Sequence, residues 1–78
     1  MPQKILSHAH FSTTIRTANR GIKLTSNSSG WHRLNITNYG NVNLDPGEVR
    51  QLPEINANTL YTIEVLPSGA RGDIIVDY

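Results

Sequence analysis

Apolar and polar residues alternate with period two over most of this chain. Phe11, Thr13, Ile15 and Thr17 alternate with Ser12, Thr14 and Arg16, the pattern of a strand with one face toward a core and one toward water. A strand near 10–17 is predicted. Ala18-Asn19-Arg20-Gly21 has turn chemistry, and Ile22 and Leu24 then alternate with Lys23 and Thr25, so a hairpin to a strand at 21–25 is expected. Ser26-Asn27-Ser28-Ser29-Gly30 reads as a polar loop. Beyond it His32, Leu34 and Ile36 share one face while Trp31, Arg33, Asn35, Thr37 and Tyr39 share the other, which makes 31–39 the best-defined strand.

Gly40-Asn41 can turn the chain into Val42-Asn43-Leu44, and Asp45-Pro46-Gly47-Glu48 turns it again. There proline presets the second turn position and glycine is free to take positive φ. Val49 to Leu52 is a short strand stopped by Pro53, and Asn56-Ala57-Asn58-Thr59 reads as a further turn. Tyr61, Ile63 and Val65 alternate with Thr62 and Glu64, and Asp73 to Tyr78 supplies a last strand with Ile74, Val76 and Tyr78 on one side. A helix is considered only over 3–12, where Ile5 and Ala9 would share a face, and the Ser-His-Ala-His centre of that segment is a weak helix former. The pattern predicts a single all-β domain over 1–78, an antiparallel sandwich or barrel of six to seven short strands, immunoglobulin-like or jelly-roll-like.

Composition agrees with sheet. Valine, isoleucine and threonine number 19 of 78 residues, against ten for Ala, Glu, Lys and Met together. At 78 residues the chain has room for one thin core, and the absence of cysteine removes disulfides and cysteine-ligated metal as supports, leaving oligomerisation or a histidine metal site. Seven basic and six acidic residues are scattered without a run, which argues against nucleic-acid binding. The longest apolar stretch, Ile74-Ile75-Val76, is far too short for a membrane helix, and the N-terminus has no hydrophobic signal core, so a cytoplasmic site of synthesis is expected.

Candidate chemistry is sparse. His8 and His10 are two apart, so on a strand both imidazoles point to one side and could serve one metal. Three such pairs around an axis would supply six nitrogens, a device similar to the metal-capped tips of some trimeric phage spikes, although those lie at the C-terminal end of a spike. The plainer reading is a pair of exposed polar residues on an edge strand. Trp31, Arg33, Asn35 and Tyr39 form the second candidate group, with three readings: packing in or at the edge of the core, a subunit contact, or a sugar- or peptide-binding surface. Arg71-Gly72-Asp73 spells a tripeptide that integrins bind, but such a string arises by chance, and Ser68-Gly69-Ala70-Arg71-Gly72 is more simply a loop before the last strand. No nucleophile elbow, phosphate-cradling loop or metalloprotease helix motif is present, so neither an enzyme nor a cofactor is expected.

Asn43-Leu44-Asp45-Pro46-Gly47-Glu48-Val49 followed by Leu60-Tyr61-Thr62-Ile63-Glu64-Val65 resembles a turn-and-strand phrase of immunoglobulin-like and related sandwich modules, over about a quarter of the chain. As a whole, an Asn/Ser/Thr-rich, lysine-poor β module resembles the small virion proteins of phages, such as head-decoration or tail-accessory subunits. The resemblance implies a structural role with the chain's own copies, a trimer among them, or a capsid or tail as partners. A lectin-like module with a glycan partner and a phage-made inhibitor of a host protein are the alternatives.

Overall fold

The alternation yields eight strands in the computed structural model, which describes residues 2–7, 12–66 and 71–78. They are β1 (Gln3–Ser7), β2 (Ser12–Arg16), β3 (Ile22–Ser28), β4 (His32–Ile36), β5 (Gly40–Leu44), β6 (Val49–Leu52), β7 (Leu60–Val65) and β8 (Gly72–Asp77). No helix occurs among the described residues. Two four-stranded sheets result, a first with order β1-β8-β3-β6 and a second with order β2-β7-β4-β5. Every pairing is antiparallel.

Several expectations are corrected. The strand missing from a count of six to seven is β1, which replaces the helix considered at the N-terminus. Ile5 and Leu6 are both apolar, so period two is masked there: Leu6 is buried, whereas Ile5 lies opposite Ile75 on the exposed face. The hairpin expected between β2 and β3 does not form, because these strands belong to different sheets. Among the described strands only β4 and β5 are neighbours both in sequence and within a sheet. The polar segment 26–30 is a loop only from Ser29, since Ser26 and Ser28 continue the buried face of β3. The long strand over 31–39 ends at Ile36, where Thr37 to Tyr39 turn the chain. Asn38 takes φ 64° and Tyr39 donates its N–H to the Ile36 carbonyl at 3.1 Å. Gly40 and Asn41 therefore open β5 rather than precede it.

Alternation within the strands is as the sequence indicates. Buried side chains from both sheets form one apolar cluster, in which Leu24, Leu34, Leu44, Ile55, Ile63 and Val76 have no exposed surface and Tyr78 packs at the margin. The turn at Asp45-Pro46-Gly47-Glu48 has its expected form, with Gly47 at φ 74° and the Glu48 N–H on the Asp45 carbonyl at 3.0 Å. One polar atom in the core has no partner among the described residues: the Ser26 hydroxyl. Left unpaired, such a group costs about 1–3 kcal/mol.

Buried Thr17 ties the chain crossing after β2 to the segment before β7. Its hydroxyl donates to the Asn56 carbonyl at 2.6 Å and accepts from the Thr59 N–H at 3.1 Å, and its carbonyl accepts from Asn58 at 2.8 Å. That cluster closes one end of the sheets. At the other end the carbonyl of Arg71 gathers the Ser29 N–H at 2.9 Å and the Ser28 hydroxyl at 3.2 Å.

Candidate functional site

Of the four residues singled out around β4, Arg33 and Asn35 belong to the strand, and Trp31 and Tyr39 flank it with exposed side chains. Trp31 immediately precedes β4 and is 55% exposed, which excludes the core interior and leaves packing at the core's edge, a subunit contact and a binding surface as its readings. The reason is parity: His32, Leu34 and Ile36 occupy the buried positions of β4, and a residue one step away faces the other side. Arg33 and Asn35 lie on the outward face, and Tyr39 follows in the turn with 37% of its surface exposed.

That outward face is built as polar rows running across the strands. Arg33 Nε donates to Asn43 Oδ1 at 3.2 Å, and Asn35 Nδ2 donates to Asn41 Oδ1 at 2.9 Å. In the register, Ser12 and Glu64 continue the Asn35 row. In the next row the hydroxyls of Thr14 and Thr62 lie 3.0 Å apart, and the Thr62 N–H donates to Thr37 Oγ1 at 2.8 Å. The amides and hydroxyls thus have partners within the face, which holds them in fixed orientation.

His8 and His10 lie outside the described residues. Among the described residues no group of three or more His, Cys, Asp or Glu side chains could hold a metal ion. No described helix is long and apolar enough to cross a membrane.

Sequence reasoning gave no role to a pair that the fold brings together. Ser28 Oγ lies 2.6 Å from His32 Nε2, with Ser28 8% and His32 3% exposed. These are the atoms of a nucleophile and a base, but both groups are buried and Ser28 Oγ also accepts from the Gly30 N–H at 3.3 Å. The pair serves packing: it satisfies a polar ring at the end of the core where β3 turns into β4. The alternation that puts His32 with Leu34 and Ile36 was the available signal.

Burial holds the His32 pKa below the ordinary imidazole value of 6.5. Between these two values the unfolded chain binds more protons at this group than the folded chain does, so stability falls as pH drops through that interval. Urea midpoints measured from pH 7.5 downward are expected to decline more steeply for the parent than for His32→Gln. Equal slopes would show that His32 does not contribute. Glu48 is also shifted, downward, because the Asp45 N–H and the Arg50 side chain both donate to its carboxylate.

In the first sheet the outward face has a different character. The register aligns Ile5, Ile75, Thr25 and Val49 in one row across all four strands. Ile5 is 56% and Val49 53% exposed. Comparison with protein-family models, curated proteins and solved structures finds no match to this chain.

Proposed function

We propose that the chain is a non-enzymatic assembly subunit acting by protein–protein contacts, of the kind that serves as a head-decoration or tail-accessory protein of a phage particle. The carrying observation is the set of large apolar side chains that the core leaves outside: Ile5 and Val49 on the first sheet, and Trp31, Tyr39 and Leu60 on or beside the second. A subunit set between neighbours needs contact groups on more than one side, and Trp, Tyr and Arg are the residues that most often anchor such contacts. For the architecture we propose a jelly-roll sandwich. The strand orders 1-8-3-6 and 2-7-4-5 and the shared apolar cluster support it, and double-sheet jelly rolls occur in viral capsid proteins and in lectins.

A specific feature favours a second reading, a lectin-like module. The oriented amides of Asn35, Asn41 and Asn43 and the Arg33 guanidinium stand in rows across the outward face of β4 and β5, beside exposed Trp31 at the start of β4, and a sugar takes a flat ring together with directed hydrogen bonds. A phage-made inhibitor of a host protein would use the same side chains against a different partner.

The test is the solution mass by light scattering, with and without chelator, together with a glycan array. A mass above the 8.7 kDa of one chain supports assembly. A chain that stays at that mass and binds a sugar only while Trp31 is intact overturns it in favour of the lectin. Because Trp31 is exposed, Trp31→Ala is expected to leave the unfolding free energy within about 0.5 kcal/mol of the parent. Binding at that site should weaken by about 2 kcal/mol or more, roughly thirtyfold in Kd. Loss of folded signal in this variant would mean that the indole packs after all.

A further inference from the structure

We infer that the outward face of the first sheet binds a second copy of this chain, face to face, about a twofold axis parallel to the strands and passing between β8 and β3. The inference rests on the assembly reading and names the partner of one of its surfaces.

Three rows cross this face. The middle one is Ile5, Ile75, Thr25 and Val49, all β-branched. Beside it runs Gln3, Asp77, Lys23 and Gln51, and on the other side Ser7, Asp73 and Asn27. An isologous interface must be complementary to itself, so each candidate axis can be judged by what it brings together. An axis parallel to the rows sets Asp77 of one copy over Asp73 of the other, two carboxylates in opposition. An axis parallel to the strands exchanges β1 with β6 and β8 with β3.

Under that second operation Ile5 meets Val49 of the other copy and Ile75 meets Thr25. Lys23 meets Asp77, twice by symmetry, and Gln3 meets Gln51. Apolar groups cover apolar groups, and both charged contacts are between opposite signs. The length of the lysine stem accommodates the offset of about 30° at which twisted sheets pack. Within one chain Lys23 and Asp77 are also cross-strand neighbours, but no ion pair between them forms, and Asp77 Oδ1 instead accepts from Gln3 Nε2 at 2.9 Å.

The size of the face sets the strength. Four strands about 4.8 Å apart and three rows about 7 Å apart span roughly 14 Å in each direction between Cα atoms. With side-chain margins that is on the order of 400 Å² per copy, about 800 Å² in total and below the roughly 1,200 Å² at which stable specific interfaces begin, so the dimer should be weak and concentration-dependent.

Sedimentation velocity over a concentration series tests this, with circular dichroism confirming the fold of each variant. The parent should pass from monomer to dimer as concentration rises, and Ile5→Lys with Val49→Lys should remain monomeric. Lys23→Asp and Asp77→Lys should each raise the dimer dissociation constant about tenfold or more, because each sets like charges opposite one another. Mixing the K23D and D77K chains should restore a dimer, one of each, since both intermolecular contacts then regain opposite signs while the cross-strand neighbours within each chain remain like-charged. That recovery cannot come from repaired folding. A parent that stays monomeric throughout overturns the inference, and so does a mixture that shows no heterodimer. An oligomer that ignores the Ile5 and Val49 changes but dissolves in Trp31→Ala overturns it too, while leaving the assembly reading in place.

Discussion

Gly72→Ala is expected to destabilise the fold by roughly 3–5 kcal/mol, combining backbone strain with overpacking. Gly72 opens β8 at φ 137° and pairs with Ser28 of β3. A methyl group added there would lie 2.5 Å from the Ser28 Cα and closer still to the Asn27 carbonyl oxygen. Neither neighbour is a side-chain tip that can swing aside: both are backbone atoms of a central strand. The end of β8 would have to move off β3, disturbing the bonds by which Ser28 and Ser29 hold the Arg71 carbonyl.

Gly40 supplies the control. It has the same φ of 137°, yet an added methyl group meets nothing within 4 Å. Gly40→Ala therefore carries the conformational cost alone, on the order of 1–3 kcal/mol. The difference between the two variants in urea unfolding measures the close approach of β3 to β8. Equal losses would show that the two strands are not held as tightly as described. The same geometry gives the glycine of Arg71-Gly72-Asp73 a structural reason: Gly72, expected as the last residue of a loop, is the first residue of β8 and pairs with Ser28, and Asp73 is paired on both sides.

Legibility in the sequence followed the strength of period two. Where aliphatic residues mark one face and charged or hydroxyl residues the other, as in β4 and β7, both the strand and its buried side were readable. Where that contrast fails, so did the reading. In β1 the apolar residues sit side by side, because Leu6 enters the core while Ile5 belongs to the outward row with Ile75 and Val49. At the end of β3 the buried face is carried by Ser26 and Ser28, which look like loop residues until Ser28 is seen against His32. Sheet membership was not legible at all: Ala18 to Gly21 has the chemistry of a hairpin turn but carries the chain from one sheet to the other, held by bonds from Ala18 to the Tyr78 carbonyl and from Gly21 to the Ile55 carbonyl. Such partners are distant in sequence, and no local pattern announces them. For the candidate surface, strand parity sets Trp31 apart from Leu34, while the row shared by Ile5, Ile75, Thr25 and Val49 exists only once register is known.

Leu34→Ala should approach the limit of what this domain tolerates. Leu34 has no exposed surface and sits on β4 between β7 and β5, with buried Val65 and Val42 directly opposite it on either side. Those neighbours are fixed by their own ladders and cannot close over the space, so the loss includes both the transfer term and the cavity, about 2–5 kcal/mol. A chain of 78 residues has a total stability of roughly 4–12 kcal/mol at typical per-residue values, and a domain this small has little else to draw on. The melting temperature should fall by about 10 °C or more. Leu60→Ala removes the same atoms from the same sheet, but Leu60 is 52% exposed, so its loss should be well under half as large. Measuring the pair by thermal unfolding at one fixed protein concentration keeps any contribution from self-association constant, since a partner that binds only the folded chain raises apparent stability by mass action. Similar losses at the two positions would contradict the assignment of Leu34 to a closed core and, with it, the placement of β4 between β7 and β5.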